Sequence, residues 1–254
     1  MPAFVGLDLA WTPHHETGIC VLEGTAGAMR LTRLDCAIES PGRFAALCQS
    51  FGPDVVVAID APLIVEPERR AESELARIFR KHKAGAYSAN LPFLTKMNGL
   101  AGPHLAQHLV EAGFCVDPAK LSAGARGRFA LEVFPHPAHV VLFEVDQRLG
   151  YKKGPLAARR IALLDYQYHL AALLALELPL VLESAPVEVV LSPDALEVPG
   201  RALKNLEDRL DALTCAYVAY HCWLHGPSGF RVFGCAEHGC IVVPNLVRDA
   251  TCAP

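Results

Sequence analysis

The sequence lacks the patterns that carry a chain into or across a membrane. Its longest apolar run, around Leu170–Leu176, is far shorter than the ~20 residues that a membrane span requires. Its first residues, Met1–Asp8, have neither the basic stretch nor the uninterrupted apolar stretch of a signal peptide. We therefore expect a cytoplasmic protein that is not attached to a membrane.

Paired cysteine motifs are also absent. The 254 residues include nine cysteines, an odd number, and no two of them form a CxxC pair. Free thiols in a reducing compartment explain this better than a disulfide framework. Cys235, His238 and Cys240, with Cys252 as a fourth ligand, are a weaker alternative as a zinc site, because their spacing is not that of a standard zinc motif.

The chain has no basic excess and few aromatic residues. Its formal net charge is −4 and its aromatic content is 7%. These values argue against a general DNA-coating protein and against a stacking platform for single strands. They do not exclude a metal-dependent nuclease, because bound metal ions bring positive charge to the reaction centre. A GxSxG motif and a convincing Cys–His dyad are missing too, so no protein nucleophile is indicated.

What the first quarter of the chain does contain is a clear strand pattern. Three segments with short connections predict an antiparallel meander: Phe4–Trp11, Thr17–Glu23 and Met29–Glu39. A helix follows to about Ser50, with Ser40 as its N-cap and Pro41 in its first turn. The β-branched run Asp54–Asp60 then predicts a parallel strand that is covered on both faces.

The rest of the chain is more helical. It predicts helices at Glu66–Lys83, His104–Gly113, Leu156–Leu178 and Leu203–Leu224, and strands at Phe129–Phe134, Phe230–Phe233 and Cys240–Val243. The loop-rich stretch Gly85–Gly102 breaks the α/β rhythm, so residues 84–128 are predicted to form an inserted, lid-like segment. The order predicts one α/β domain over residues 1–254, a ribonuclease H-like fold. Its mixed five-stranded sheet combines three antiparallel strands with parallel ones, is flanked by helices, and is followed by a short C-terminal β extension.

Five acidic residues occupy positions where a carboxylate needs an explanation. Asp8 and Glu132 lie within predicted strands, Asp60 ends one, and Asp208 and Asp211 share one helix face. A carboxylate in an apolar strand is costly unless it is paired, hydrogen-bonded or metal-bound. Taken singly, Asp60 also suits a turn, and Asp208 also suits an ion pair with Lys204 or Arg209. Taken together, they predict a Mg²⁺ or Mn²⁺ site for two-metal phosphodiester cleavage.

Eight segments carry a resemblance to a known family. They are Phe4–Trp11, Thr17–Ile19, Ala58–Leu63, Arg70–Arg77, Leu131–Ala138, Tyr151–Gly154, Asp208–Ala219 and Gly239–Pro244. On these residues the chain resembles the DUF429 family, which is described as predicted nucleases of the ribonuclease H fold. The acidic layout is also similar to that of RuvC-type Holliday junction resolvases, although Asp60 stands where those enzymes usually have Glu.

The similarity to the resolvases implies that Asp8, Asp60, Asp208 and Asp211 form the metal site, and the nuclease hypothesis gives each carboxylate a role. Asp8, Asp60 and Asp211 are expected to bind the metal, with Asp8 bridging the two ions. Asp208 or Glu132 is expected to orient the attacking water, and all five would then be catalytic. Glu132 has no clear counterpart in the resolvases and is a candidate from the family's own motif.

Three further residues are candidates for substrate binding. Arg77 and Lys153 are expected to contact phosphate oxygens, and His136 is expected to act as a general base or a phosphate contact. The ordinary alternatives are a solvated helix face for Arg77 and a structural loop histidine for His136.

The function predicted first is a Mg²⁺- or Mn²⁺-dependent nuclease or phosphodiesterase acting on a nucleic acid or nucleotide. The second is a nucleotide-binding, ATP-hydrolysing protein of the actin and sugar-kinase superfamily, although Leu9–His15 lacks the Gly/Thr-rich phosphate hairpin of that class. The third is a catalytically silent binding module on the same scaffold. A homodimer is an open expectation for the oligomeric state.

Overall fold

The central sheet positions everything else in the molecule. The computed structural model describes residues 1–12, 14–25, 27–86 and 88–246. The sheet contains β1 (Ala3–Asp8), β2 (Thr17–Glu23), β3 (Arg30–Ala37), β4 (Val55–Ile59) and β5 (Arg128–Glu132). Its order is β3-β2-β1-β4-β5, antiparallel from β3 to β1 and parallel from β1 to β5. This confirms the predicted mixed sheet and the ribonuclease H-like α/β class.

Helices cover both faces of this sheet. They are α1 (Pro41–Ser50), α2 (Ala71–Phe79), α3 (Leu91–Lys96), α4 (Ala101–Glu111), α5 (Pro135–Leu142), α6 (Leu156–Glu177), α7 (Pro179–Leu182), α8 (Ala185–Leu191) and α9 (Gly200–His225). A two-stranded hairpin, β6 (Phe230–Cys235) and β7 (Gly239–Pro244), completes the described chain. Within the described ranges, no helix has both the length and the apolar character that crossing a bilayer demands.

The side chains of each strand alternate between two separate cores, because successive residues of a strand point to opposite faces. Phe4, Val56 and Leu131 pack against α9 on one face. Val5 and Val57 pack on the other face, against α1 and α4. Alternation therefore decides which helix layer each strand residue meets.

Two glycines let α9 lie unusually close to the sheet. A Cβ on Gly6 would lie 2.0 Å from the carbonyl oxygen of Ala212, and a Cβ on Gly18 would lie 2.1 Å from that of Asp208. Neither side chain can be added without moving the helix backbone. The missing side chains thus bring the acidic face of α9 down onto β1 and β2.

A third, smaller core lies beyond β5. It joins the β6/β7 hairpin to α2 and α5 through Leu75, Val140, Phe233 and Ile241. The hairpin extends the end of the main sheet through a bridge between Val133 and Val242. The eight cysteines of the described residues are all free thiols, as predicted.

Two predicted elements differ from the structure. Helix α2 begins at Ala71 rather than Glu66, because Pro67 disfavours the helical conformation at the residue before it. The prolines after β5, which were expected only to end the strand, instead begin α5. Pro135 is tolerated at the first helical position because that residue's N–H would have no partner within the helix.

The segment predicted as a lid, residues 84–128, contains helix α4. This helix belongs to the body of the protein, since it packs on α1 and buries Leu105 and Leu109 fully against one face of the sheet. Cys115 even pairs with Phe129 beside β5. The loop-rich composition of Gly85–Gly102 was a poor guide to the rest of the segment, because the apolar spacing of α4 determines where that helix packs.

Candidate metal centre and cleft

Three of the predicted carboxylates meet at one point. Asp8 is the last residue of β1, Asp60 directly follows β4, and Asp211 lies on α9. One carboxylate oxygen from each lies within 4.8 Å of those of the other two. Asp8 and Asp60 follow the alternation of Gly6 and Ala58, which both face α9. The parallel register of β1 and β4 and the close approach of α9 together build this acidic triad.

Asp211 is the most firmly held member of the triad. It is fully buried, and the hydroxyl of Tyr151 donates to its Oδ1 at 2.7 Å. The hydroxyl of Tyr166 lies 3.1 Å from the same oxygen. Its second oxygen, Oδ2, lies 2.8 Å from the ammonium of Lys152. The two tyrosines therefore fix the carboxylate so that Oδ2 faces the ammonium of Lys152.

Lys152 is the cation at the centre of this arrangement. Its Nζ also lies 3.5 Å from Oδ2 of Asp60. Burial opposes the charge on Lys152, but Asp211, Asp8 and Asp60 together raise its pKa well above the usual value. Burial raises the pKa of Asp60 to about 7. Burial also opposes ionisation of Asp211, yet Lys152 holds the pKa of that residue below its usual value.

Asp208, the fourth predicted carboxylate, lies next to the triad but has its own cation. Its Oδ1 contacts the ammonium of Lys204, four residues earlier on the same helix. Lys204 also lies 3.2 Å from Glu207, another buried acid on α9. Burial and the neighbouring charge of Asp8 raise the pKa of Asp208 to about 8. The ion pair considered for Asp208 is therefore present, alongside its proximity to Asp8.

Glu132 is not part of the acidic triad. It pairs in register with Ile59, and its side chain points to the face opposite α9. There its Oε2 accepts hydrogen bonds from the Leu63 N–H at 2.9 Å and from Arg69 at 3.1 Å, and its Oε1 contacts the same guanidinium. The expectation that Glu132 orients an attacking water is corrected on this ground, because Arg69 engages both of its oxygens.

A cleft of about 770 Å³ opens directly onto Asp8, Asp60 and Asp208. Five cationic side chains line it: Arg148, Lys152, Lys153, Arg201 and Lys204. The segment between β1 and β2 forms another wall, with Trp11 and His15 among its residues. Acidic groups at the base and cations around the rim suit a ligand that brings both a metal ion and negative charge.

The predicted substrate-binding residues separate into two groups. Lys153 and His136 line the cleft. His136 is buried, its Nδ1 has no hydrogen-bond partner among the described residues, and burial lowers its pKa well below the usual value. Arg77 is exposed on α2 and lies outside the cleft lining, so it is not brought to the site. Its exposed position is that of a solvated helix face.

The zinc alternative finds no support in the described residues. Cys235, His238 and Cys240 lie around the β6/β7 turn but do not converge as a group of metal ligands. Cys252, the fourth ligand considered, lies outside the described residues.

Sequence reasoning missed the residues that hold the triad. Tyr151, Tyr166 and Lys152 contact Asp211, yet only the neighbouring Lys153 was singled out as a contact. The segment Tyr151–Gly154 was a usable signal, because an aromatic residue and two lysines before a glycine carried part of the resemblance. Which lysine turns inward depends on the backbone of that loop.

Comparison with known families confirms the expected family. A family model described as "Protein of unknown function (DUF429)" matches residues 6–228. No curated protein matches the sequence. The match covers most of the chain, and the chain belongs to the DUF429 family.

Proposed function

We propose that this DUF429 protein is a Mg²⁺- or Mn²⁺-dependent nuclease or phosphodiesterase. The observation that carries the proposal is the convergence of Asp8, Asp60 and Asp211 within 4.8 Å, at the base of a cleft with a cationic rim. The family description assigns no activity, so the proposal depends on the chemistry of these residues.

The donor set fits a hard divalent cation. All three groups are carboxylates, and Mg²⁺ and Mn²⁺ prefer oxygen ligands of this kind. Lys152 is the cation that pairs with Asp60 and Asp211, and Lys204 adds positive charge near Asp8. Because Asp60 and Asp211 share a single ammonium, a divalent cation bound by the triad would add positive charge where two carboxylates have only one partner.

The remaining lining residues suit a phosphodiester substrate. When bound, the divalent cation supplies positive charge to a phosphate oxygen and to an attacking water. Arg148, Lys153 and Arg201 line the same cleft and bind the anionic backbone. His136 lies at the cleft wall with a neutral imidazole near pH 7, because burial lowers its pKa, and it is placed there to contact a phosphate oxygen.

The test combines metal binding with turnover. Mn²⁺ binding is measured by calorimetry, and hydrolysis is measured on single-stranded DNA, RNA, a branched junction and a small phosphodiester. Asp8→Asn should lower the Mn²⁺-dependent rate about a thousandfold, which corresponds to ~4 kcal/mol of transition-state stabilisation. The matched control is Asp165→Asn, which neutralises an exposed carboxylate on α6 and should leave the rate unchanged.

Two outcomes would contradict the proposal. Full activity of Asp8→Asn would remove the triad from the reaction. Mn²⁺ binding without hydrolysis of any substrate in the panel would favour the silent binding module instead.

A further inference from the structure

The position of Lys152 poses a question that the proposed function leaves open. Its ammonium lies 2.8 Å from Asp211 and 3.5 Å from Asp60, so it contacts two of the three carboxylates proposed to hold the metal. A divalent cation bound by these same oxygens and the ammonium would repel each other strongly at such separations. The ion and Lys152 therefore compete for the same carboxylate oxygens.

We propose that Lys152 is an intramolecular counter-cation that holds the acidic triad together without metal and is displaced when a divalent cation binds. This inference rests on the proposed function, since it concerns the same site. It assigns Lys152 a positioning role, acting through Asp60 and Asp211.

The loop that carries Lys152 has a fixed backbone and a movable side chain. The neighbouring Tyr151 is fully buried, with its hydroxyl on Asp211, and its carbonyl accepts a hydrogen bond from Arg159 Nε at 2.8 Å. The side chain of Lys152, by contrast, is 28% exposed and lines the cleft. A flexible four-carbon stem on a fixed backbone allows the ammonium to leave the triad while the tyrosine stays in place.

Removing the ammonium should strengthen metal binding, whereas damage to the site should weaken it. The direction of the change therefore separates competition from a merely structural role. The same substitution leaves three neighbouring carboxylates without their counter-cation, which should destabilise the metal-free protein. A bound divalent cation should restore that stability, because it supplies the missing positive charge.

The experiment compares Lys152→Met with the wild-type protein and with Lys153→Met, which removes a lysine from the same loop and cleft. Mn²⁺ affinity is measured by calorimetry, and thermal unfolding is followed in EDTA and in saturating Mn²⁺. Lys152→Met should bind Mn²⁺ at least about tenfold more tightly, since a unit charge near the ion is removed. It should unfold at a lower temperature than the wild-type protein in EDTA, and this difference should disappear in Mn²⁺.

Two further variants complete the design. Lys153→Met should change the affinity by less than about threefold, because Lys152 rather than Lys153 is placed against the triad oxygens. Lys152→Arg, which keeps the charge, should stay close to the wild-type affinity. If Lys152→Met does not fold, Lys152→Gln removes the charge but keeps a hydrogen-bond donor, and the same increase in affinity is expected.

The outcomes separate this inference from the proposed function. Unchanged or weaker Mn²⁺ binding by both neutral variants overturns the role of Lys152 alone. Mn²⁺ binding by the wild-type protein without hydrolysis overturns the proposed function alone. Failure of every protein to bind Mn²⁺ overturns both.

Discussion

Two buried acidic sites lie at the same end of the sheet, on opposite faces, and they differ in how their charge is satisfied. On one face Glu132 is engaged by the planar guanidinium of Arg69, which also bonds Glu72 at 2.8 Å and the Ile64 carbonyl at 2.6 Å. On the other face Asp60 and Asp211 share a single ammonium, that of Lys152.

The space beside each site differs as well. Only about 10 Å³ is open next to Glu132, whereas the triad opens onto a cleft of about 770 Å³. The fork of an arginine satisfies several acceptors in fixed directions, while an ammonium acts as a point charge on a flexible stem. The Glu132 site is therefore a structural ion pair, and the triad is the one suited to bind something else.

The largest predicted effect is that of Glu132→Gln, which tests whether the Glu132 site is a structural ion pair. The substitution leaves the guanidinium of Arg69, whose side chain is 2% exposed, short of a counter-charge. We expect a loss of about 3–5 kcal/mol in the free energy of unfolding, as for other broken buried pairs. Urea denaturation measures it, and Mn²⁺ affinity should stay within about threefold of wild type, since the substituted side chain faces away from the triad.

Asp8→Asn is the matching variant on the other face. It relieves repulsion among carboxylates, so the metal-free protein should be at least as stable as wild type while Mn²⁺ binding is lost. A stability loss in Asp8→Asn equal to that in Glu132→Gln would show that both sites are structural.

The buried aromatic wall behind Asp211 predicts a pH effect of intermediate size. His139 is fully buried, stacks on Phe143, and has its pKa lowered by burial to about 3. The unfolded chain binds a proton at this residue below pH ~6.5, whereas the folded chain does so only near the lowered value. The contribution of His139 to the free energy of unfolding should therefore fall by about 3 kcal/mol between pH 7 and pH 4.

The measurement is the difference between wild type and His139→Phe, which keeps an aromatic ring but cannot titrate. Urea denaturation at several pH values should show the wild-type protein losing stability relative to the variant as the solution is acidified. A difference that stays constant from pH 7 to pH 4 would contradict the lowered pKa.

The smallest predicted effect concerns the tyrosines that orient Asp211. Tyr151→Phe removes the hydroxyl that donates to Oδ1 at 2.7 Å, and should cost about 1–2 kcal/mol of stability because the bond is to a charged group. Mn²⁺ affinity should also fall, since the carboxylate is less well oriented. Tyr217→Phe, another buried tyrosine on α9, is the control and should leave Mn²⁺ affinity unchanged; equal losses of affinity in both variants would refute the orienting role.

Much of the fold could be predicted because local patterns and packing agree. The β-branched run before Asp60 does form the buried strand β4, and the apolar spacing of Leu203–Leu224 does form most of α9. Helix α5 was missed because Pro135 and Pro137 are breakers inside a helix but are tolerated in its first turn.

The sequence by itself determined that Asp8, Asp60 and Asp211 would need partners, because each is an acid in an apolar segment. It could not decide that Glu132 points away from them, since a strand buried on both faces has no polar side to mark its orientation. Nor could it decide that Lys152 rather than Lys153 enters the triad. That choice follows from Tyr151 packing against Asp211, sixty residues away along the chain, and such contacts exist only once α9 is docked on the sheet.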